Sequence, residues 1–352
     1  MWKEVLMMLR ENIVDAIGNT PLVQLKLDST ARGKVFAKLE MLNPFGMKDR
    51  AAKQVILEAK KNGILKDGAP IIESSSGTMA LGLAMVGTYL GHPVHIVTDK
   101  RTDQMTLAKL KALGCKLEIV TEMTHLGWQS ARLDRLDEIL RENKGAFCPH
   151  QYENPDNPNA YESLANEALK ELGHIEILVA SVGSGGSLCG TARALRKVNP
   201  DLRVVAVDAV GSVIFDQPDI PGRLQGGHGN SVVPKNVDFS IIDEVHWLND
   251  EECYAANLEL AENEKIFAGN SSAASYAVSR FLSSRCSEET NILTIFPDRG
   301  DRYYKTVYNE DYRREKGMTN LFLPEQPKKV SYGTTVTSWS YASLQDNKMP
   351  TF

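Results

Sequence analysis

Between residues 70 and 141 three short apolar runs, 70–74, 94–98 and 116–120, each precede a segment whose apolar residues recur at helical spacing, 78–90, 103–113 and 126–141. Strands that alternate with helices of this length have to be joined by right-handed crossovers, so they predict a mostly parallel sheet covered by helices. The same alternation resumes with a helix ending at 172, a strand at 177–181, a helix at 188–198 and a strand at 204–209. It continues with a strand at 244–248, helices at 251–263 and 272–282, and a strand at 292–296. Upstream, 35–39 reads as a strand and 51–61 as a helix closed by Gly63. The fold class is α/β.

A chain of 352 residues exceeds the usual size of one hydrophobic core, so two lobes are expected. Residues 152–158, with three Asn or Asp and two Pro, are the crossing between them. At the N-terminus Trp2, Val5, Leu6, Leu9, Ile13 and Val14 stand at helical spacing and predict an arm lying on the larger body. Residues 147–149 read as one more short strand, and 211–234 as a long Pro- and Gly-rich irregular stretch of the kind that lines a ligand site. Periodicity is lost after Lys316, leaving 324–352 as a tail that is either disordered or packed on a partner.

Charge narrows the ligand. A net charge of -5 and a pI near 5.9 argue against a nucleic-acid partner, which needs a basic face. No apolar run approaches the ~18 residues that span a membrane, and residues 1–9 lack a signal-peptide pattern. The five cysteines are scattered singly, which suits reduced thiols in the cytoplasm. A small molecule is the expected ligand.

Four stretches carry chemistry. Ser181-Val182-Gly183-Ser184-Gly185-Gly186-Ser187 follows an apolar strand and opens a helix, so backbone amides, hydroxyls and the helix N-terminus converge as a phosphate cradle. It lacks the Lys-Ser/Thr ending of a Walker loop and the third glycine of a dinucleotide fingerprint; alone, a structural tight turn would read the same. Ser74-Ser75-Ser76-Gly77-Thr78 is a second strand-to-helix turn, a nest suited to a carboxylate, although Ser-rich helix caps are common. Lys48 ends the turn-forming loop Asn43-Pro44-Phe45-Gly46-Met47 at the mouth of a helix. Taken alone it is one of forty basic residues; buried at a lobe junction it would be a partly neutral, Schiff-base lysine. Phe296-Pro297-Asp298 ends a strand, where ligands of parallel sheets bind. A cradle, a lysine, a carboxylate nest and an acid facing a ring nitrogen together describe a pyridoxal 5'-phosphate site.

From about residue 10 to 315 the chain resembles the fold type II pyridoxal phosphate enzymes, specifically the cysteine synthases and cystathionine β-synthases. The resemblance rests on Gly18-Asn19-Thr20-Pro21-Leu22, the Asn-Pro...Lys-Asp-Arg loop, the Ser-Gly turn, Gln151-Tyr152 before Asn154-Pro155, the Gly-Ser-Gly-Gly-Ser cradle and Asp298-Arg299-Gly300-Asp301-Arg302-Tyr303. It implies a two-lobed, tryptophan synthase β-like fold. Residues 1–40 and 151–318 would form the large phosphate-binding domain and 41–150 a smaller mobile domain with the lysine loop edge and the carboxylate turn, leaving 319–352 as a C-terminal tail.

The resemblance also implies roles. Lys48 would hold the cofactor covalently and move the Cα proton; Thr78, Gly183, Ser184, Gly185, Gly186, Ser187 and Asp298 would contact the cofactor. Ser75, Ser76, Gly77, Met79 and Gln151 would bind the substrate α-carboxylate. Arg223 and His228 read either as groups for the leaving phosphate or the acceptor, or as loop residues only. Asp298 stands where the family places a residue facing the pyridine nitrogen, usually serine, and a carboxylate there would keep the ring protonated. The implied reaction is β-replacement on an O-activated L-serine, O-phosphoserine or O-acetylserine, through an aminoacrylate. Residues 206–209, 211–215 and 297–303 are most similar to the siderophore-pathway synthases that use O-phosphoserine and glutamate. A β-eliminating lyase and a non-catalytic cofactor-binding paralogue are the alternatives. The family implies a cytoplasmic homodimer acting on small amino acids, with no membrane or nucleic-acid partner.

Three departures stand out. Thr78 replaces the asparagine that the family pattern places at the cofactor's phenolic oxygen, and Ala80 replaces a glycine. The lysine loop is one residue shorter than the usual form. His228 and Asn230 replace small or apolar residues, and Val232 an arginine of the siderophore synthases.

Overall fold

The computed structural model describes residues 9–125 and 127–344. In chain order the strands are β1 (Leu22–Gln24), β2 (Lys34–Lys38), β3 (Ile71–Ser74), β4 (Val94–Asp99), β5 (Lys116–Val120), β6 (Ile177–Ser181), β7 (Arg203–Ala209), β8 (Glu244–Leu248), β9 (Asn291–Ile295), β10 (Lys328–Lys329) and β11 (Ser340–Ser343). They form two sheets: a large one of order β1-β2-β9-β6-β7-β8-β11-β10, and a small, wholly parallel one of order β3-β4-β5. From β2 through β8 the large sheet is parallel, as the strand and helix alternation predicts. The chain leaves it after β2, builds the small sheet, and returns at β6.

The helices are α1 (Lys48–Lys61), α2 (Thr78–Tyr89), α3 (Gln104–Ala112), α4 (Gly127–Glu142), α5 (Asp156–Asn159), α6 (Glu162–Leu172), α7 (Gly186–Arg196), α8 (Asp250–Glu264), α9 (Asn270–Ser283) and α10 (Glu310–Glu315). Among the described residues no helix is long and apolar enough to cross a membrane. Four helices, α1, α7, α8 and α9, start one to three residues earlier than the apolar spacing predicts, and two of them bear on the site. α1 opens at Lys48 because Asp49 Oδ2 accepts from the amides of Phe45 (2.8 Å) and Gly46 (3.3 Å), closing the turn in front of it. α7 opens at Gly186 because Gly185, at φ 82°, turns the chain in a left-handed conformation open to glycine.

Three expectations need correction. Trp2, Val5 and Leu6 lie outside the described residues, and 9–17 form turns rather than a helix. Asn12 Oδ1 accepts from Val14 N (2.9 Å) and Asp15 N (3.1 Å), competing with the helical ladder, while Val14 and Ile17 are buried all the same. Residues 147–149 do not make a strand: Phe147 forms a single bridge to Ile71, and Pro149 has no amide to extend it. The segment beyond 318 is ordered structure as far as Leu344, adding β11 antiparallel to β8 and β10 beside β11.

A buried ionic cluster fixes α1 on the large sheet. Arg50 Nε lies 2.7 Å from Glu40 and its Nη2 2.8 Å from Glu167, and the fully buried Lys38 of β2 lies 2.8 Å from the same Glu167. Burial alone would raise the Glu167 carboxyl; the Arg50 and Lys38 partners outweigh it and hold it at about 2. The cluster is two residues from Lys48.

Candidate active site

Between the two sheets, at the carboxyl ends of β3, β4, β6, β7 and β9, lies a cavity of about 640 Å³. Ligands of open α/β sheets bind at such strand ends. Its wall brings together most of the residues that the sequence singles out: Lys48, Ser75 through Met79, Gln151, Gly183, Ser184, His228 and Asp298. Gly185, Gly186 and Ser187 are not on the wall but form the first turn of α7 behind Gly183 and Ser184.

Lys48 Nζ donates to Ser184 Oγ at 3.3 Å, joining α1 to the cradle. Burial lowers its pKa to about 8 against the opposing charge of Asp298, so a sizeable neutral fraction exists at mild alkaline pH. Ser184 Oγ also accepts from Asn157 Nδ2 (3.1 Å), whose own nitrogen holds Gln151 O at 2.6 Å. Gln151 is thereby locked: its side-chain nitrogen donates to Ser74 O (3.0 Å) and its amide to Glu73 Oε2 (3.1 Å). At the nest, Gly77 caps α2 in an extended conformation, and its amide donates to Ser75 Oγ at 3.3 Å.

Asp298 sits opposite. It is 4 % exposed; Oδ2 accepts from Tyr303 Oη (2.9 Å) and Arg302 Nη1 (3.3 Å), whereas Oδ1 is buried without a partner. Burial raises its pKa; Arg302 and Tyr303 work against that. Gly269 makes room for it: a Cβ there would lie 2.1 Å from Oδ1. Ser271, also on the wall, lowers the Asp298 pKa with its hydroxyl, although its Oγ makes no well-formed hydrogen bond.

His228 is 4 % exposed with both ring nitrogens unpartnered, and burial pushes its pKa down to about 4, so the ring is neutral. Arg223 is committed to its own loop, donating to Gly211 O, Ile220 O (3.1 Å) and Asp219 Oδ1 (2.9 Å). Three arginines on the wall, Arg101, Arg132 and Arg302, have no place in the sequence reading as ligand groups. Arg302 links Asp298 to Ser76 O, and Arg132 of α4 is 6 % exposed with Nε and Nη1 unbonded, Asp99 Oδ2 standing 3.4 Å from Nη1. Nothing local marks Arg132, which sits in a helix of alternating charges; only the approach of α4 to the β3 turn reveals it.

Residues 13–298 match the family described as pyridoxal-phosphate dependent enzymes. The chain is 39% identical over 310 residues to the N-(2-amino-2-carboxyethyl)-L-glutamate synthase of Ralstonia nicotianae, covering 87% of this chain and 91% of that one. It is 40% identical over 311 residues to the enzyme of that name from Cupriavidus metallidurans, covering 86% and 91%. Among solved structures it resembles a cysteine synthase from Entamoeba histolytica, with a TM-score of 0.82 at 25% identity over 91% of this chain and 98% of the other.

The residues present suit pyridoxal 5'-phosphate. A lysine whose pKa burial lowers to about 8, a cradle of amides and hydroxyls at a helix N-terminus, and a buried carboxylate oxygen left without a donor are the three groups such a cofactor needs. The chain therefore belongs to the pyridoxal-phosphate dependent enzymes, among the cysteine synthase-like members that carry out β-replacement on an O-activated serine.

Proposed function

We propose that the donor is O-phospho-L-serine and the acceptor is the amine of L-glutamate. The C–O bond at Cβ breaks, phosphate leaves, and a C–N bond forms at the same carbon while the amine gives up a proton. The observation that carries this reading is Arg132, a nearly buried guanidinium on the cavity wall whose ion-pair partner Asp99 (3.4 Å) is shared with Arg101, and whose Nε and Nη1 lack a well-formed hydrogen bond. A buried cation lacking full hydrogen bonding is costly unless an anion completes it, and a phosphate does so bidentately. The surrounding charge agrees: the wall carries Lys48, Arg101, Arg132, Arg223 and Arg302 against Asp219 and Asp298, in a chain whose net charge is -5. Two polyanionic substrates match that field, and acetylserine leaves it unused. The two relatives named for the glutamate product support the acceptor.

When bound, the cofactor supplies an electron sink for the charge that develops at Cα. Gly183 through Ser187 would hold its phosphate, Lys48 would anchor it covalently, Asp298 with its open Oδ1 would keep the ring protonated, and Thr78 would contact it. Lys48 Nζ, whose pKa burial lowers to about 8, would take the Cα proton and return it. The nest Ser75-Ser76-Gly77, with Met79 and Gln151, receives the substrate carboxylate, and His228 faces the acceptor. Residues 41–150 act as the smaller, mobile domain over residues 1–40 and 151–318. A cytoplasmic homodimer serving siderophore-type biosynthesis fits the family resemblance, and the described cysteines are all free thiols.

The test is mass analysis after incubation with O-phosphoserine and 15N-glutamate. A product retaining the label, formed faster than with O-acetylserine, supports the assignment. Sulfide outcompeting glutamate, or pyruvate release indifferent to any acceptor, overturns it, the latter in favour of elimination.

A further inference from the structure

Between β7 and residue 239 no helix or strand forms, yet Asp219 through Ser231 supply more of the cavity wall than any other stretch. An irregular segment of this length does not hold side chains in place by itself, because every residue keeps its backbone freedom unless something outside removes it. One edge of this loop is tied to the cradle by Gly229 N donating to Val182 O (2.8 Å), its middle to α8 and β8 by Leu224 N and Gln225 N donating to Asp250 (2.9 and 3.1 Å) and Gln225 Nε2 to Leu248 O (2.9 Å), and it closes on itself through Val213 N to Asn230 O (2.9 Å) and Ile220 N to Gly211 O (2.9 Å).

The other edge is held by the C-terminal stretch. Gln217, 5 % exposed, donates from Nε2 to Thr334 O (2.9 Å) and accepts at Oε1 from Val336 N (2.9 Å), so both ends of one amide are matched to one piece of backbone. Beside it Asp216 takes a left-handed φ of 57°, and Val336 shares a core cluster with Ile214 and Phe215 of the loop. The C-terminal stretch is in turn fixed to the large sheet by β11 on β8, by Trp339 N to Glu252 Oε1 (2.8 Å), and by Trp339 Nε1 to His246 Nδ1 (3.2 Å). It lies beyond the 13–298 that match the family.

We propose that Gln217 is a positioning residue, which ties the substrate loop to the C-terminal stretch and so sets where Asp219, Arg223 and His228 stand in the cavity. Lys48 and the cradle are on other elements and keep their geometry without it. Loss of the tie therefore weakens substrate binding and spares the chemical step.

Three full-length holoenzyme variants test this. In Gln217→Leu, which keeps the volume and removes both hydrogen bonds, KM for O-phosphoserine or glutamate rises about ten-fold with kcat within about two-fold, and amide exchange of residues 219–231 accelerates. Gln217→Glu keeps the acceptor for Val336 N and falls between parent and Gln217→Leu, giving a reading even if the latter does not fold. Trp339→Phe removes the Nε1 bond to His246 but leaves the β11 pairing and the Gln217 tie: thermal stability falls, and any rise in KM and loop exchange stays well below that of Gln217→Leu. Unchanged KM and exchange in both Gln217 variants, or equal changes in Trp339→Phe, overturn the proposal. The kinetic probes rest on the proposed substrates; exchange in the substrate-free holoenzyme does not, so the two readings fail separately.

Discussion

The floor and the wall of the cavity are built differently. On the floor Lys48, Ser184 and Asp298 stand at the ends of regular elements and tie to one another or to neighbours: Lys48 to Ser184, Ser184 to Asn157, Asp298 to Tyr303 and Arg302. On the wall both ring nitrogens of His228 and Nε and Nη1 of Arg132 are buried without a well-formed hydrogen bond, Arg132 keeping only the Asp99 ion pair at 3.4 Å, whereas the floor leaves open the single oxygen Asp298 Oδ1. Buried polar groups are normally satisfied, so the floor is preorganised for a resident group while the wall is completed by whatever arrives. Chemistry belongs to the floor and selectivity to the wall.

The largest effect that would break this division is at the floor. Lys48→Ala removes the covalent anchor and the proton carrier, so kcat falls by about 10⁴-fold and the visible absorbance of the loaded parent is lost, as steady-state kinetics and spectra check. Next comes the wall: Arg132→Met raises KM for O-phosphoserine by about 30-fold, the loss of charge-assisted hydrogen bonds, and leaves turnover of O-acetylserine within about three-fold. An equal loss with both donors would move Arg132 to the floor.

Cofactor loading sharpens the comparison with pH. Burial holds the Lys48 ammonium at about 8 rather than the ordinary 10.5 of a lysine, and only the neutral amine attacks an aldehyde. The loading rate of cofactor-free protein, followed by absorbance, should climb from pH 6.5 and level off above about 8; a rise continuing toward 10 would mean an exposed lysine. For the same reason this lysine penalises the folded cofactor-free protein below about pH 8 and the penalty fades between there and 10.5. The smallest effect is His228→Leu: acceptor KM rises a few-fold, roughly three, while thermal stability holds or increases, because two unpaired nitrogens leave the interior.

The floor was legible in the sequence because each of its parts is a contiguous turn between a strand and a helix. Glycines at 183, 185 and 186, hydroxyls at 184 and 187, and an acid just after β9 carry their geometry with them, since local backbone conformation fixes the direction of neighbouring groups. The wall was not. Arg132 looks like any helical arginine until α4 lies against the β3 turn, and Arg223, which the sequence offers as a ligand group, is turned back on its own loop. Helical spacing at the N-terminus misled for a related reason: Asn12 offers the backbone a local turn, and burial of Val14 and Ile17 needs no helix.

What the sequence determined by itself was the alternation that makes parallel sheets and the short motifs that make a cofactor floor, both set by interactions within a few residues. Tertiary structure alone decided that 319–344 would leave the status of a tail and pair with β8, that Gln217 would meet Thr334 and Val336 across more than a hundred residues, and that Arg132 would face the cavity. Contacts at such separations depend on how whole elements pack, and no local pattern encodes them.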